Sequence, residues 1–109
     1  MTAPPDHLTA DSFVQDGRRV VALAGELDIA SAPIAEDALR AELDVLDLSR
    51  LEFMDSGGVR IVLRACGTRT EPLVVRGVTR AVRRILDLTG VSELLVYEET
   101  DQLRSPPGR

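Results

Sequence analysis

Short runs of β-branched and aliphatic residues alternate with helix-length stretches along most of this chain, and that alternation narrows it to one kind of architecture. Val45-Leu46-Asp47-Leu48, Leu73-Val74-Val75-Arg76 and Leu94-Leu95-Val96-Tyr97 read as strands, each short, apolar and set between helical stretches or turns. Ahead of them, Ser12-Phe13-Val14-Gln15 and the run from Arg18 to Ala24 are separated by Asp16-Gly17. That pair signals a hairpin, because both central residues of the favoured turn take positive φ. The order is therefore β-β-α-β-α-β-α-β. Strands joined through helices lie parallel with right-handed crossovers. The expected fold is α/β, a mixed and mostly parallel sheet with an edge hairpin, packed against helices.

Three helices fill the gaps. Ser31 reads as an N-cap with Pro33 in the first turn, and the helix is expected to run to about Glu42 with Ala35, Ala38, Leu39 and Leu43 inward. Val59, Val62, Leu63 and Cys66 follow helical spacing, which leaves Arg60, Arg64 and the apolar Ile61 on the outer side, and Gly67 ends the helix. Thr79 caps a third helix with Val82, Ile85 and Leu86 inward and Arg80, Arg83 and Arg84 solvated, ending at Gly90. A short helical turn is expected around residues 100 to 103. At 109 residues the chain makes one domain, spanning 12–104. The proline-containing ends, residues 1–11 and 105–109, are expected to be flexible tails.

Composition removes several functions. A net charge of −5 and an aromatic content of 3% fit neither a phosphate-backbone binder nor a base-stacking surface, so no nucleic-acid partner is expected. All basic residues are arginine; with no lysine, a P-loop nucleotide site is absent in its usual form. The lone Cys66 provides neither a disulfide nor a thiolate metal cage. No apolar run approaches a membrane span and no signal peptide is evident, so the chain reads as cytoplasmic with no membrane partner. No metal or cofactor is expected. Two carboxylates on separate loops, Asp28 and Asp55, are a weak cation signal.

One turn carries chemistry. Leu51-Glu52-Phe53-Met54 runs into Asp55-Ser56-Gly57-Gly58-Val59, which sets a hydroxyl where a strand passes into a helix. A serine hydrolase would need a base beside that hydroxyl. The sole histidine, His7, lies in the expected tail, so the chain is not expected to be an enzyme. Two readings of the turn remain. Asp or Ser can simply cap the helix while Gly eases the backbone. Alternatively, the hydroxyl can carry a phosphate, an anion that a helix N-terminus favours, and the two glycines let another protein approach. Met54, just before the turn, is either a surface contact or core.

Leu48 through Val59, together with Gly25-Glu26-Leu27-Asp28 upstream and Arg83 through Gly90 downstream, resembles the bacterial anti-sigma factor antagonists built on a single STAS domain. The likeness covers roughly residues 12 to 104. It implies that Ser56 is phosphorylated by a partner anti-sigma factor that is itself a serine kinase, that the unphosphorylated form binds this kinase and frees its sigma factor, and that a serine phosphatase resets the cycle. It implies a binding face holding Asp28, Ser31, Met54, Asp55, Gly57 and Gly58. Two departures stand out: the residue after the acceptor, usually a second serine, is Gly57, and the segment from Asp28 to Asp55 is shorter than usual. A non-cycling scaffold or sensor module of the same fold is the alternative. Monomer or weak dimer remains open.

Overall fold

The computed structural model describes residues 7–67 and 69–98. In chain order these form β1 (Leu8–Gln15), β2 (Arg18–Leu27), α1 (Ala32–Ala38), β3 (Val45–Met54), α2 (Ser56–Gly67), β4 (Leu73–Arg76), α3 (Arg80–Leu88), a 3-10 turn over Val91–Leu94, and β5 (Leu95–Glu98). The five strands lie in the order β1-β2-β3-β4-β5. β1 and β2 are antiparallel and every later pair is parallel. The α/β sheet with its edge hairpin is therefore as expected. Asp16 and Gly17 turn the hairpin with φ of 54° and 78°, the positive values its two-residue geometry requires.

The helices contribute to a single apolar cluster. Ala35 of α1, Val59, Val62 and Cys66 of α2, and Val82 and Leu86 of α3 pack on Val21, Leu23, Leu46, Leu48, Leu73 and Val75 of the sheet. Crossovers of one hand that always step the same way along the sheet place every helix on one face. No helix among the described residues is long and apolar enough to cross a membrane.

Several boundaries differ from those the pattern predicts. β1 begins at Leu8, not Ser12, and buries Leu8 in the core, so the expected tail is already ordered strand by residue 8. α1 stops at Ala38 although Leu39 to Leu43 is rich in helix formers. Sheet pairing overrides that propensity: the Asp44 N–H donates to the Arg19 carbonyl and the Arg19 N–H to Asp44 Oδ2, both at 2.8 Å, while Leu43 swings into the core. The strand at Val45–Leu48 runs on without a break to Met54. Its register against β2 slips by one residue between the Ala22 and Ala24 pairs and again between Gly25 and Glu26. Each bulge inverts the alternation, which is why the residues β3 gives to the apolar cluster fall at Leu46, Leu48, Leu51 and Met54. That 2-3-3 spacing does not look like a strand. The expected turn at 100 to 103 and the tail at 105–109 lie outside the described residues, as do residues 1–6.

On α2 the buried stripe is rotated from the expected one. Ile61 is buried and Leu63 half-exposed, because α1 packs beside α2 and Ile61 joins the same apolar cluster as Ala35 of α1. The cover for this outward apolar residue comes from α1 itself. Arg80 and Arg84 are solvated as expected. Arg83, although exposed, stacks 3.8 Å above the Tyr97 ring and pairs with Asp87 at 3.1 Å. Cys66 is buried, and that burial pushes its thiol pKa up against the opposing pull of Arg69.

Candidate functional site

Leu27 and Met54 are partners in the parallel register of β2 and β3, so the loops that follow them leave the sheet side by side at its carboxyl edge. Such edges are where open α/β sheets place their binding sites. The Asp55 N–H donates to the Leu27 carbonyl at 3.2 Å and fixes this exit. One loop brings Asp28 and the other brings Ser56.

Asp55 is the N-cap of α2. Its Oδ1 accepts the Gly57 and Gly58 N–H groups at 2.8 and 3.2 Å, and its carbonyl accepts the Val59 N–H at 3.0 Å. Ser56 follows as the first helical residue and is exposed. The two readings of the turn thus divide between neighbours: Asp55 caps the helix, and the Ser56 hydroxyl is spared that work. Among the described residues no hydrogen bond engages it. Because the Asp55 carboxylate already occupies the Gly57 and Gly58 donors, a phosphate on Ser56 would meet a second anion there, and only the remaining field of the helix N-terminus would favour it.

The glycines serve the protein's own packing. A Cβ on Gly58 would lie 2.7 Å from Met54 Cγ and 2.8 Å from the Leu27 carbonyl oxygen. A Cβ on Gly57 would lie 3.1 Å from the backbone of Ile29. Their bare backbone admits the β2–α1 loop, an internal reason for two glycines. Gly58 and Met54 are both buried, so each shapes the turn from beneath.

The β2–α1 loop is fixed by Ser31, which is fully buried. Its hydroxyl donates to the Glu26 carbonyl at 2.8 Å and accepts the Asp28 N–H at 3.0 Å. Its own N–H donates to Asp28 Oδ1 at 2.9 Å. Ser31 occupies the N-cap position of α1, but its side chain makes no cap bond; it ties the loop to the end of β2. It is hidden from any partner.

His7 was not expected at this site. Its Nε2 lies 3.1 and 3.2 Å from the two oxygens of Asp28. The imidazole first, and then the Ser31 N–H, hold the Asp28 carboxyl below its usual range. A histidine in a loose tail positions nothing, but this one is set by backbone, since the Glu26 N–H donates to the His7 carbonyl at 2.9 Å. Gly25, at φ 108°, makes room: a Cβ there would fall 2.1 Å from that same carbonyl oxygen. His7, Glu26 and Asp28 bring potential ligand atoms within 4.8 Å of one another. Asp28 is already engaged by Ser31 and His7 and Glu26 is exposed, so this open rim lacks the closed donor set of a built metal site.

Two apolar side chains stand out at the same edge, Ile29 at 78% exposure and Phe53 at 48%. Phe53 is paired with Glu26 across the β2–β3 register, one step before Leu27 and Met54. The sequence signal for both was only apolarity next to the Asp28 and Asp55 loops, and a core role competed with it. Of the residues expected on the binding face, the structure brings Asp28, Asp55, Ser56 and Gly57 to the surface or its margin and keeps Ser31, Met54 and Gly58 inside.

The family model described as Mlab, STAS domain matches residues 13–97, and the chain belongs to the STAS domain family. It is similar to curated proteins named anti-sigma-B factor antagonist. That of Staphylococcus epidermidis is 28% identical over 102 residues, covering 85% of this chain and 94% of the relative; that of Staphylococcus aureus is 26% identical over the same shares. Among solved structures, an anti-sigma factor antagonist from Mycobacterium paratuberculosis is 29% identical with a TM-score of 0.75, covering 94% of this chain and 93% of that one. The anti-sigma factor antagonist SpoIIAA in its unphosphorylated form is 22% identical with a TM-score of 0.61, covering 86% and 90%, a likeness of fold.

Proposed function

We propose that this protein is an anti-sigma factor antagonist that acts by binding and not by catalysis, with Ser56 as its phosphoacceptor. The observation that carries the reading is the placement of Ser56. Its hydroxyl is exposed and, among the described residues, unbonded at the carboxyl edge of the sheet, near the Asp28 loop and the uncovered Ile29 and Phe53. The names of the similar proteins supply the partner class, an anti-sigma factor. In the unphosphorylated state this face binds a serine kinase of that class and frees its sigma factor. The kinase brings the ATP, and a serine phosphatase restores the hydroxyl.

The charge on the face accounts for release. A phosphate carries about −1.5 to −2 charges at neutral pH. A partner closing over the face excludes water from between this phosphate and carboxylates about 6 Å away, where at an effective dielectric near 20 each unit charge costs about 3 kcal/mol before salt screening. Since about 1.4 kcal/mol is tenfold in affinity, repulsion and lost fit together weaken a complex roughly 10- to 100-fold. Asp55 and Asp28 are the acidic groups nearest the acceptor in sequence or across the loop contact, and a partner shaped to them gains one more anion to accommodate.

The test is intact mass after incubation with the cognate kinase and ATP. Wild type gains one phosphoryl group, about 80 Da, and Ser56→Ala gains none while retaining binding. Undiminished phosphorylation of Ser56→Ala would remove Ser56 as the site. Equal partner affinity of the unmodified and Ser56-phosphorylated proteins would instead favour the non-cycling scaffold.

A further inference from the structure

The histidine at the start of β1 is the feature that the Ser56 reading does not absorb. It reaches the switch face by a chain of specific contacts. Gly25 lets the His7 backbone close on the end of β2, and the Glu26 N–H anchors its carbonyl. The ring then lands on the Asp28 carboxylate. Asp28 Oδ1 in turn receives the Ser31 N–H, and the next residue, Ile29, rests on Gly57 beside the acceptor serine.

We propose that His7 is a positioning residue for Asp28 and the counter-charge of the Ser56 face, so that protonation of its imidazole sets how negative that face is. This rests on the proposed role of Ser56 for its consequence but not for its geometry. The imidazole is the only side chain of this chain that ordinarily titrates between pH 5 and 8, apart from any shifted thiol, and the Cys66 thiol is shifted the other way. Among the described residues, the titratable groups facing His7 are Asp28, from the loop after β2, and Glu26, from β2 itself. Both are acidic. A protonated His7 therefore neutralises part of a cluster of like charges, and an added phosphate at Ser56 increases the field that holds the proton. Linkage makes the relation reciprocal: if phosphate at Ser56 favours protonated His7, protonation of His7 lowers the electrostatic cost of the phosphorylated form.

Because the chain has a single histidine, one imidazole resonance reports the titration in the full-length protein by NMR. Asp28→Asn is expected to lower its midpoint by about one pH unit, the size typical of losing an opposite charge at contact. Phosphoserine installed at position 56 is expected to raise it by a smaller amount. The backbone amides of Ser31 and Ile29 are expected to shift with the same midpoint in wild type. In His7→Gln, which keeps a donor but cannot take charge, that pH response is expected to disappear while the fold is retained.

An unchanged midpoint in Asp28→Asn overturns the proposal whatever Ser56 does. An unchanged midpoint with phosphoserine at 56 overturns the counter-charge role. Persistence of the Ser31 and Ile29 response in His7→Gln overturns the positioning role, since a merely structural side chain would leave it in place. Failure of the kinase to modify Ser56 would remove the function proposed above and leave each of these readouts standing.

Discussion

Two strand-to-helix loops leave the same edge of the sheet, each carrying an aspartate and a serine, and they use them in opposite ways. In the β2–α1 loop the serine is the interior group: Ser31 is fully buried and bonded to Glu26 and Asp28, while Asp28 stands at the margin. In the β3–α2 turn the aspartate takes the backbone donors and the serine is left outside, exposed and unbonded among the described residues. Residue type does not decide which hydroxyl is available for chemistry. The decision comes from which side chain reaches the unpaired N–H groups first, and a carboxylate one position earlier in the turn removes that task from its neighbour.

The largest expected effect lies under the second loop. Gly58→Ala places a methyl 2.8 Å from a backbone oxygen and 2.7 to 2.9 Å from two core side chains. The carbonyl cannot rotate away, so the loss should approach about 3 kcal/mol, the upper end for overpacking, read from a denaturant titration. Ser31→Ala follows at about 2 kcal/mol, because it strips partners from a part-buried N–H and a part-buried carbonyl at once and empties a fully buried side-chain site. Ser56→Ala should change stability by less than about 0.5 kcal/mol, as an exposed site without partners does. Similar losses for Ser31→Ala and Ser56→Ala would erase the contrast between the two loops.

Asp55→Ala sharpens it from the other side. Losing the N-cap should cost about 1 kcal/mol and return the Gly57 and Gly58 donors to the solvent or to Ser56. A phosphate at Ser56 then has free N–H groups to accept. Phosphorylation is therefore expected to raise the Tm of Asp55→Ala relative to its unphosphorylated form, and to do so by more than in wild type. An identical response in the two proteins would mean that Asp55 does not compete with a phosphate at all.

What the sequence discloses and what it hides both follow from the range of the forces involved. The succession of strands and helices along the chain and the hairpin at Asp16-Gly17 are local signals of periodicity and turn chemistry, and they are legible. The exposed hydroxyl of Ser56 is legible too, since its strand, cap and helix are contiguous. The continuity of β3 is not, because two bulges break the period of two across Ser49 to Phe53. The inward face of α2 is misread at Ile61 because α1 packs beside it, a contact between helices that a single-helix pattern cannot contain. His7 is hidden for the same reason: its place depends on Gly25 and Asp28, about twenty residues downstream, and proline-rich composition around Pro4 and Pro5 argues for a tail. Ser31 looks like a cap from its position and proves to be a tie between β2 and its loop.

The smallest effect concerns acid. His7 and the Ser31 N–H hold the Asp28 carboxyl below its ordinary range, so the folded state binds that proton less readily than the unfolded chain does. The stability this contributes is present in full above the ordinary aspartate range and is lost as pH falls through that range to the lower folded value. Asp47 and Asp87 are shifted in the same direction. In Asp47, hydrogen bonds from Ser49 and Arg76 outweigh the upward push of burial; in Asp87, hydrogen bonds from Ser92 and Arg83 lower the value. Wild type should therefore lose Tm steadily below about pH 4. Asp28→Asn should start from a lower Tm at neutral pH and fall less steeply, keeping only the slope due to the other two. Ser56→Ala should reproduce the wild-type acid limb, since its hydroxyl holds no carboxylate. An acid limb in Asp28→Asn as steep as in wild type would show that the His7 contact is not maintained in solution, and with it the asymmetry between the two loops would lose its charged half.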